Sequence, residues 1–166
     1  RGPRRFALTV DAFHIAAGER LLLLGPSGSG KSTLLSLIAG IVAPDAGAIS
    51  ILGTDIARLS PAARDRFRAE HIGVVFQMFN LLPYASARDN VLLALAFAPE
   101  RHRSAAEGHS AMAEADRLLA RLRLGADIAE MQAGALSVGQ QQRVAVARAL
   151  IGRPGLVIAD EPTTAL

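Results

Sequence analysis

Three short stretches of this sequence hold residue types at spacings that could do chemistry, and the first is a glycine loop. Gly25, Pro26, Ser27, Gly28, Ser29, Gly30, Lys31 and Ser32 read G-x-x-x-x-G-K-S, a pattern that cradles phosphate when it lies between a strand and a helix. Successive backbone N–H groups of such a loop point inward at an anion, and the positive end of the following helix dipole adds to the field. In that arrangement Lys31 reaches the β- and γ-phosphates of a nucleotide, the Ser32 hydroxyl is offered to Mg2+, and Thr33 bonds a phosphate nearer the nucleoside. Thr33 stands where a third glycine would follow Gly28 and Gly30, so the stretch is no dinucleotide fingerprint and ATP or GTP remains. Lys31 is also the single lysine among 18 basic residues. A compact ammonium on a flexible stem is the one property arginine cannot replace.

The second stretch is Leu156-Val-Ile-Ala-Asp160-Glu161-Pro162, two carboxylates just beyond an apolar run. The carboxyl edge of a parallel strand is where α/β sheets bind their ligands. Asp160 fits the metal-side acid there, and Glu161 fits the group that orients and deprotonates an attacking water. The third stretch, Leu136 to Leu150, opens with Ser137 and Gln140 at the S-x-x-Q spacing of a capping box. A capped helix N-terminus with Gly139 beside it is either an ordinary cap or a second anion site, and spacing alone leaves both open.

The elements that must position these residues follow from periodicity. Arg5 to Val10 and Arg20 to Leu24 read as strands, the second buried and ending at Gly25, and Lys31 to Gly40 reads as a helix. Ala48 to Leu52 and Ile72 to Phe76 are further short strands, with a helix from Pro61 to Ala69 between them. From Ser86 to Phe97 and from about Ser110 to Leu124 the pattern is helical, with Met112, Ala115, Leu118, Leu119 and Leu122 on one stripe. A further helix spans Ser137 to Ile151, and Leu156 to Ala159 is a fully apolar strand. Alternating strands and helices make an α/β fold.

Composition narrows the classes. The 166 residues suit about one domain, and 51% hydrophobic with 20% charged residues exclude a disordered or fibrous chain. The absence of cysteine rules out a disulfide scaffold, a thiolate zinc site and a cysteine nucleophile. The longest apolar run, Val91 to Ala98, is far short of the roughly 20 residues of a membrane span. A net charge of +3 is modest, so nucleic acid is not demanded as a partner.

GPSGSGKST at 25 to 33, Gln77, LSVGQQQRVAVARAL at 136 to 150 and LVIADEP at 156 to 162 together resemble an ABC-transporter nucleotide-binding domain. The resemblance covers nearly the whole chain, with order and spacings matched. It implies a P-loop NTPase with a RecA-like parallel-sheet core, a small N-terminal β region and a helical insert. The core would comprise 1–78 and 153–166, and about 79–152 the helical subdomain carrying the signature. ATP and Mg2+ are the implied ligands. Two chains would meet head to tail, each ATP held between one phosphate loop and the partner's Ser137, Gly139 and Gln140. Lys31, Gln77 and Glu161 are the implied catalytic residues, and Ser32, Gln77 and Asp160 the implied metal site. An integral membrane permease would dock near Gln77 to Tyr84, an unusually apolar loop, at the cytoplasmic face of the membrane. The wording of 76–91 resembles the lipoprotein-release and macrolide-efflux subgroup. The alternatives are an ABC-type ATPase with a soluble role and a non-hydrolysing ATP-binding module; a P-loop kinase or GTPase does not explain the 136–150 helix.

The sequence departs from the family at Val138, often glycine, whose side chain is expected to point away from the nucleotide. The chain also reads as truncated at both ends, without the switch histidine, the C-terminal strands or the adenine-stacking aromatic. The family's arrangement then implies a gap, or an unnatural pairing, between Leu21–Leu24 and Leu156–Ala159, and a piece that is unstable and inactive alone.

Overall fold

The computed structural model describes residues 7–160, so the candidate Glu161 lies outside the described residues. Helix α1 (Lys31–Ile38) begins directly after Gly30 and ends into Ala39 and Gly40. A hairpin follows, β1 (Ser50–Ile51) against β2 (Thr54–Asp55). Helix α2 (Pro61–His71) starts at its proline, which needs no amide partner in the first turn, while Ser60 Oγ accepts from Ala63 N at 3.3 Å. It runs straight into strand β3 (Ile72–Val75).

Six helical residues of α3 (Ala87–Leu92) then open a helical region. It continues through α4 (Pro99–Ala105), α5 (Ala111–Arg121), α6 (Ala126–Glu130) and α7 (Val138–Leu150). Strand β4 (Leu156–Ala159) returns to lie parallel to β3, with Ile72 opposite Leu156 and Val75 opposite Ala159. The amide of Asp160 extends that ladder by donating to Val75 O at 3.0 Å.

The helical region packs around Val91, Leu119, Val144 and Ile151, all fully buried. At about 1.5 to 3 kcal/mol for each large side chain removed from water, this is the main stabilising term of that region. A second cluster joins Ile51, Ile56, Ile72 and Ile158 to the inner side of α1. Between them Val75, Ala145 and Ala149 seat α7 on β3.

Arg101 closes the same seam. Its buried guanidinium donates to Ile151 O at 2.6 Å, Ala149 O at 3.2 Å and Ala69 O at 3.1 Å, tying α4 to the ends of α7 and α2. Burial lowers its pKa from the ordinary arginine value, and the charge of Glu70 offsets this only in part.

Two sequence expectations need correction. Residues 7–10 and 20–24 form no strand, so the small N-terminal β region reduces, among the described residues, to the β1–β2 hairpin. Leu22 and Leu24, expected in a buried strand, are 79% and 80% exposed. Apolar content alone does not make a strand: its N–H and C=O groups need a ladder partner, and none lies beside this segment. Among the described residues β4 has β3 as its one strand neighbour, and no third strand stands between β4 and 20–24. Met112, placed on the core stripe of α5, is 54% exposed, because the face the helix buries carries Glu114, Ala115, Leu118 and Leu119 instead.

Candidate nucleotide site

The loop 25–30 leaves the exposed segment 20–24 and enters α1 without any side-chain cap, because its N-cap is Gly30 at φ 96°. Gly28 is likewise left-handed at φ 79°, and a Cβ there would meet nothing within 4 Å. The requirement at Gly28 is backbone conformation and not space. Lys31 Nζ folds over the loop and donates to Gly25 O at 2.8 Å and Pro26 O at 2.9 Å. The ammonium is thus held above the loop, where a phosphate oxygen would compete for it. Ser27 and Ser29 stand exposed on the loop, and Thr33 is half-buried in the first turn of α1.

Ser32, the second residue of α1, donates its hydroxyl to Asp160 Oδ1 at 3.2 Å. One contact therefore joins the phosphate loop to the end of β4. Both groups are oxygen donors of the kind Mg2+ prefers, and that ion is ordinarily held by one or two protein oxygens plus the substrate's phosphates. Ser32 and Asp160 fit it.

Gln77 lies in the turn two residues past β3. Since β3 and β4 are parallel and in register at Val75 and Ala159, Gln77 and Asp160 leave the sheet at the same carboxyl edge. The loop beyond Gln77 exposes Met78 and Tyr84, at 81% and 71%, while Phe79, Leu81 and Leu82 turn partly inward.

Ser137 and Gln140 cap α7 as the spacing predicted, with Gly139 in the first turn between them. Ser137 N donates to Gln140 Oε1 at 2.8 Å, and Gln140 N donates to Ser137 Oγ at 3.3 Å. Val138 is exposed at the first position of the helix, and no heavy atom lies within 4 Å of where a Gly139 side chain would begin. The helix starts of α1 and α7 thus differ: α1 begins at a left-handed glycine with no side-chain cap, and the hydrogen bonds of Ser137 and Gln140 are made within the cap of α7 itself.

Sequence reasoning missed the residues that hold these parts in place. Arg148 and Arg101 each direct a guanidinium at backbone carbonyls of a remote segment, and Asn90 reaches back to the loop that precedes its own helix. Arg148 stands in the apolar run Val144 to Leu150, and Asn90 is a poor helix former inside α3. Those anomalies were the available signals; Arg101 gave none.

The ABC transporter family matches residues 8–164. A macrolide export ATP-binding/permease protein from Rhodopirellula baltica is 45% identical over 150 residues, 90% of this chain and 21% of its own length. A lipoprotein-releasing system ATP-binding protein from Rhodospirillum rubrum is 46% identical over 152 residues, 92% of this chain and 63% of its own. The chain thus spans only part of the relatives it matches. Among solved structures, the dimeric bacterial ABC transporter cassette MJ0796 superposes with a TM-score of 0.75 at 40% identity, covering 85% of this chain and 60% of that one. The same cassette in a post-hydrolysis state bound to ADP and Pi gives a TM-score of 0.69 at 37% identity over the same shares. With the loop, the signature cap and the acidic strand end in the order that family requires, the chain belongs to the ABC transporter family.

Proposed function

We propose that this chain binds ATP with Mg2+ and hydrolyses it in a head-to-tail dimer, powering the movement of a substrate through a membrane permease. The observation that carries the reading is the Ser32–Asp160 contact at the mouth of the phosphate loop. It brings a metal-side acid to the residues that hold the phosphates, as nucleotide hydrolysis needs and a glycine turn does not.

In this reading the amides of 25–33 bind the α- and β-phosphates and Lys31 exchanges its loop carbonyls for the β- and γ-phosphate oxygens. Ser32 and Asp160, with Gln77, hold the metal side of the site. Mg2+, when bound, neutralises charge that develops on the transferred phosphoryl group. Glu161, next after Asp160, orients the attacking water and accepts its proton. Ser137, Gly139 and Gln140 of a second copy complete the site, so neither chain hydrolyses alone. The core is formed by 1–78 and 153–166, and 79–152 is the helical insert.

The permease docks on 77–84, where Met78 and Tyr84 are exposed. No helix among the described residues is long and apolar enough to cross a membrane, and the chain works from the cytoplasmic face as a peripheral subunit. Relatives named for macrolide export and lipoprotein release support transport as the use of the energy. The neighbour captured with ADP and Pi supports hydrolysis.

The test is light scattering on the full-length Glu161→Gln protein. Mg-ATP converts it from monomer to dimer, and a second substitution, Ser137→Arg, abolishes the conversion. A protein that stays monomeric with saturating Mg-ATP contradicts the dimer.

A further inference from the structure

The loop that follows Gln77 is held in an unusual backbone by a residue of the signature helix. Phe79 and Asn80 both adopt left-handed conformations, φ 57° and 50°. Two consecutive non-glycine residues in this region are rare, and persist only where surrounding contacts fix them. Arg148 supplies those contacts. Its Nη1 donates to Asn80 O at 2.6 Å, and its Nη2 donates to Phe79 O. Among the described residues it forms no salt bridge that would compete with the loop for its guanidinium. The Phe79 ring packs with Val75 and Ala145, fixing the loop against both β3 and α7.

The far end of the loop is pinned differently. Buried Asn90 accepts from Leu82 N at 2.7 Å and donates to Leu82 O at 3.0 Å and Ser86 O at 2.9 Å. That end is fixed to α3, whereas the near end, next to Gln77, is fixed to α7. Arg148 and the Ser137–Gln140 cap are on one unbroken helix, Val138–Leu150. A helix of that length is a rigid rod of about 20 Å, so displacement at its capped end must be felt at Arg148.

We propose that Arg148 is a positioning residue that couples the signature-helix N-terminus to the conformation of the 77–82 loop. When the nucleotide of a second copy engages Ser137, Gly139 and Gln140, α7 moves as a body and the two carbonyls held by Arg148 move with it or are released. By reciprocity, a partner that fixes the loop changes the affinity of the α7 terminus for that nucleotide. The proposal rests on the dimer reading above and adds the residue through which the docking loop senses it.

The experiment uses the full-length Glu161→Gln protein and amide hydrogen exchange across residues 76–85, with and without Mg-ATP, while light scattering follows dimerisation. In this parent, Mg-ATP changes exchange in the loop by roughly tenfold, within the usual range of coupling between sites. Adding Arg148→Met leaves the dimer affinity within about threefold and abolishes most of the loop's response. Arg148→Lys, which reaches one carbonyl but not both, gives an intermediate response. If Arg148→Met does not fold, the lysine variant decides the matter: a response equal to the parent's overturns the proposal. A parent that dimerises with a silent loop, or a methionine variant with an undiminished response, overturns it as well. A parent that fails to dimerise overturns the dimer reading and the coupling together, and light scattering identifies that case.

Discussion

The Ser32 hydroxyl and Asp160 Oδ1 lie 3.2 Å apart although 128 positions separate them in sequence. Helix α1 and strand β4 therefore deliver the hydroxyl and the carboxylate to one point, beside the loop that Lys31 closes. The contact is a direct consequence of the parallel β3–β4 pairing, because Asp160 N is itself bonded to Val75 O at the end of that ladder. In the proposed site Ser32→Ala removes one metal-side oxygen and leaves the loop amides and Lys31 intact. Nucleotide affinity without Mg2+ should stay within about threefold of the parent, while the gain on adding Mg2+ disappears and turnover falls by roughly 100-fold. Titration of a fluorescent ATP analogue with and without Mg2+, beside phosphate release, reads both effects.

Gly73 is where β3 runs against α7. A Cβ on this residue would sit 2.1 Å from Ala149 O, which is backbone and cannot swing aside. Gly73→Ala should push the helix from the strand and destabilise the protein by about 2 to 3 kcal/mol, the scale of overpacking a tight core. Urea unfolding measures this as a lower midpoint with an unchanged slope.

Arg101 on α4 holds the ends of α2 and α7 through their carbonyl oxygens. Arg101→Met keeps the volume and removes the donors, leaving the carbonyls of Ala69, Ala149 and Ile151 short of partners. A loss of about 3 kcal/mol follows at the usual cost of unsatisfied buried groups. Thermal unfolding should shift down by roughly 6 to 12 °C.

Acid sensitivity has a local source in α5. Hydrogen bonds from Arg117, aided by His109, hold the buried Glu114 carboxyl down from the ordinary 4.5 to about 2. A carboxyl with a depressed folded pKa contributes stability above its unfolded pKa and loses it as pH falls through the folded one. Glu114 therefore stabilises fully above about pH 5 and progressively less down to about pH 2. Because Arg117 is half exposed and screened by solvent, about 1 to 2 kcal/mol is at stake. Glu114→Gln should flatten the fall in stability between pH 5 and pH 2, measured by denaturant unfolding at each pH.

The parts legible in the sequence were those whose physics is local. The loop 25–32 carries its own backbone requirement in Gly28 and Gly30, and the cap of α7 is written in Ser137 and Gln140 three residues apart. Leu156 to Ala159 appears as a strand with the expected bounds because its apolar run ends at a charge. Leu21 to Leu24 has the same apolar signal and forms no strand, since pairing depends on a neighbour that the run does not encode. Arg148 and Asn90 stood out only as polar residues in unlikely places, and Arg101 not at all, for a related reason: their partners are main-chain groups, which every residue has and no sequence pattern marks.

Phosphate release reads the proposed hydrolysis without an intervening step. Full-length protein with Mg-ATP, at concentrations where it dimerises, should release phosphate continuously. The Glu161→Gln variant should bind ATP at least as well yet turn over at least about 100-fold more slowly. Undiminished release by Glu161→Gln would rule out Glu161 as the catalytic carboxylate, and no release by the parent with ATP bound would rule out hydrolysis.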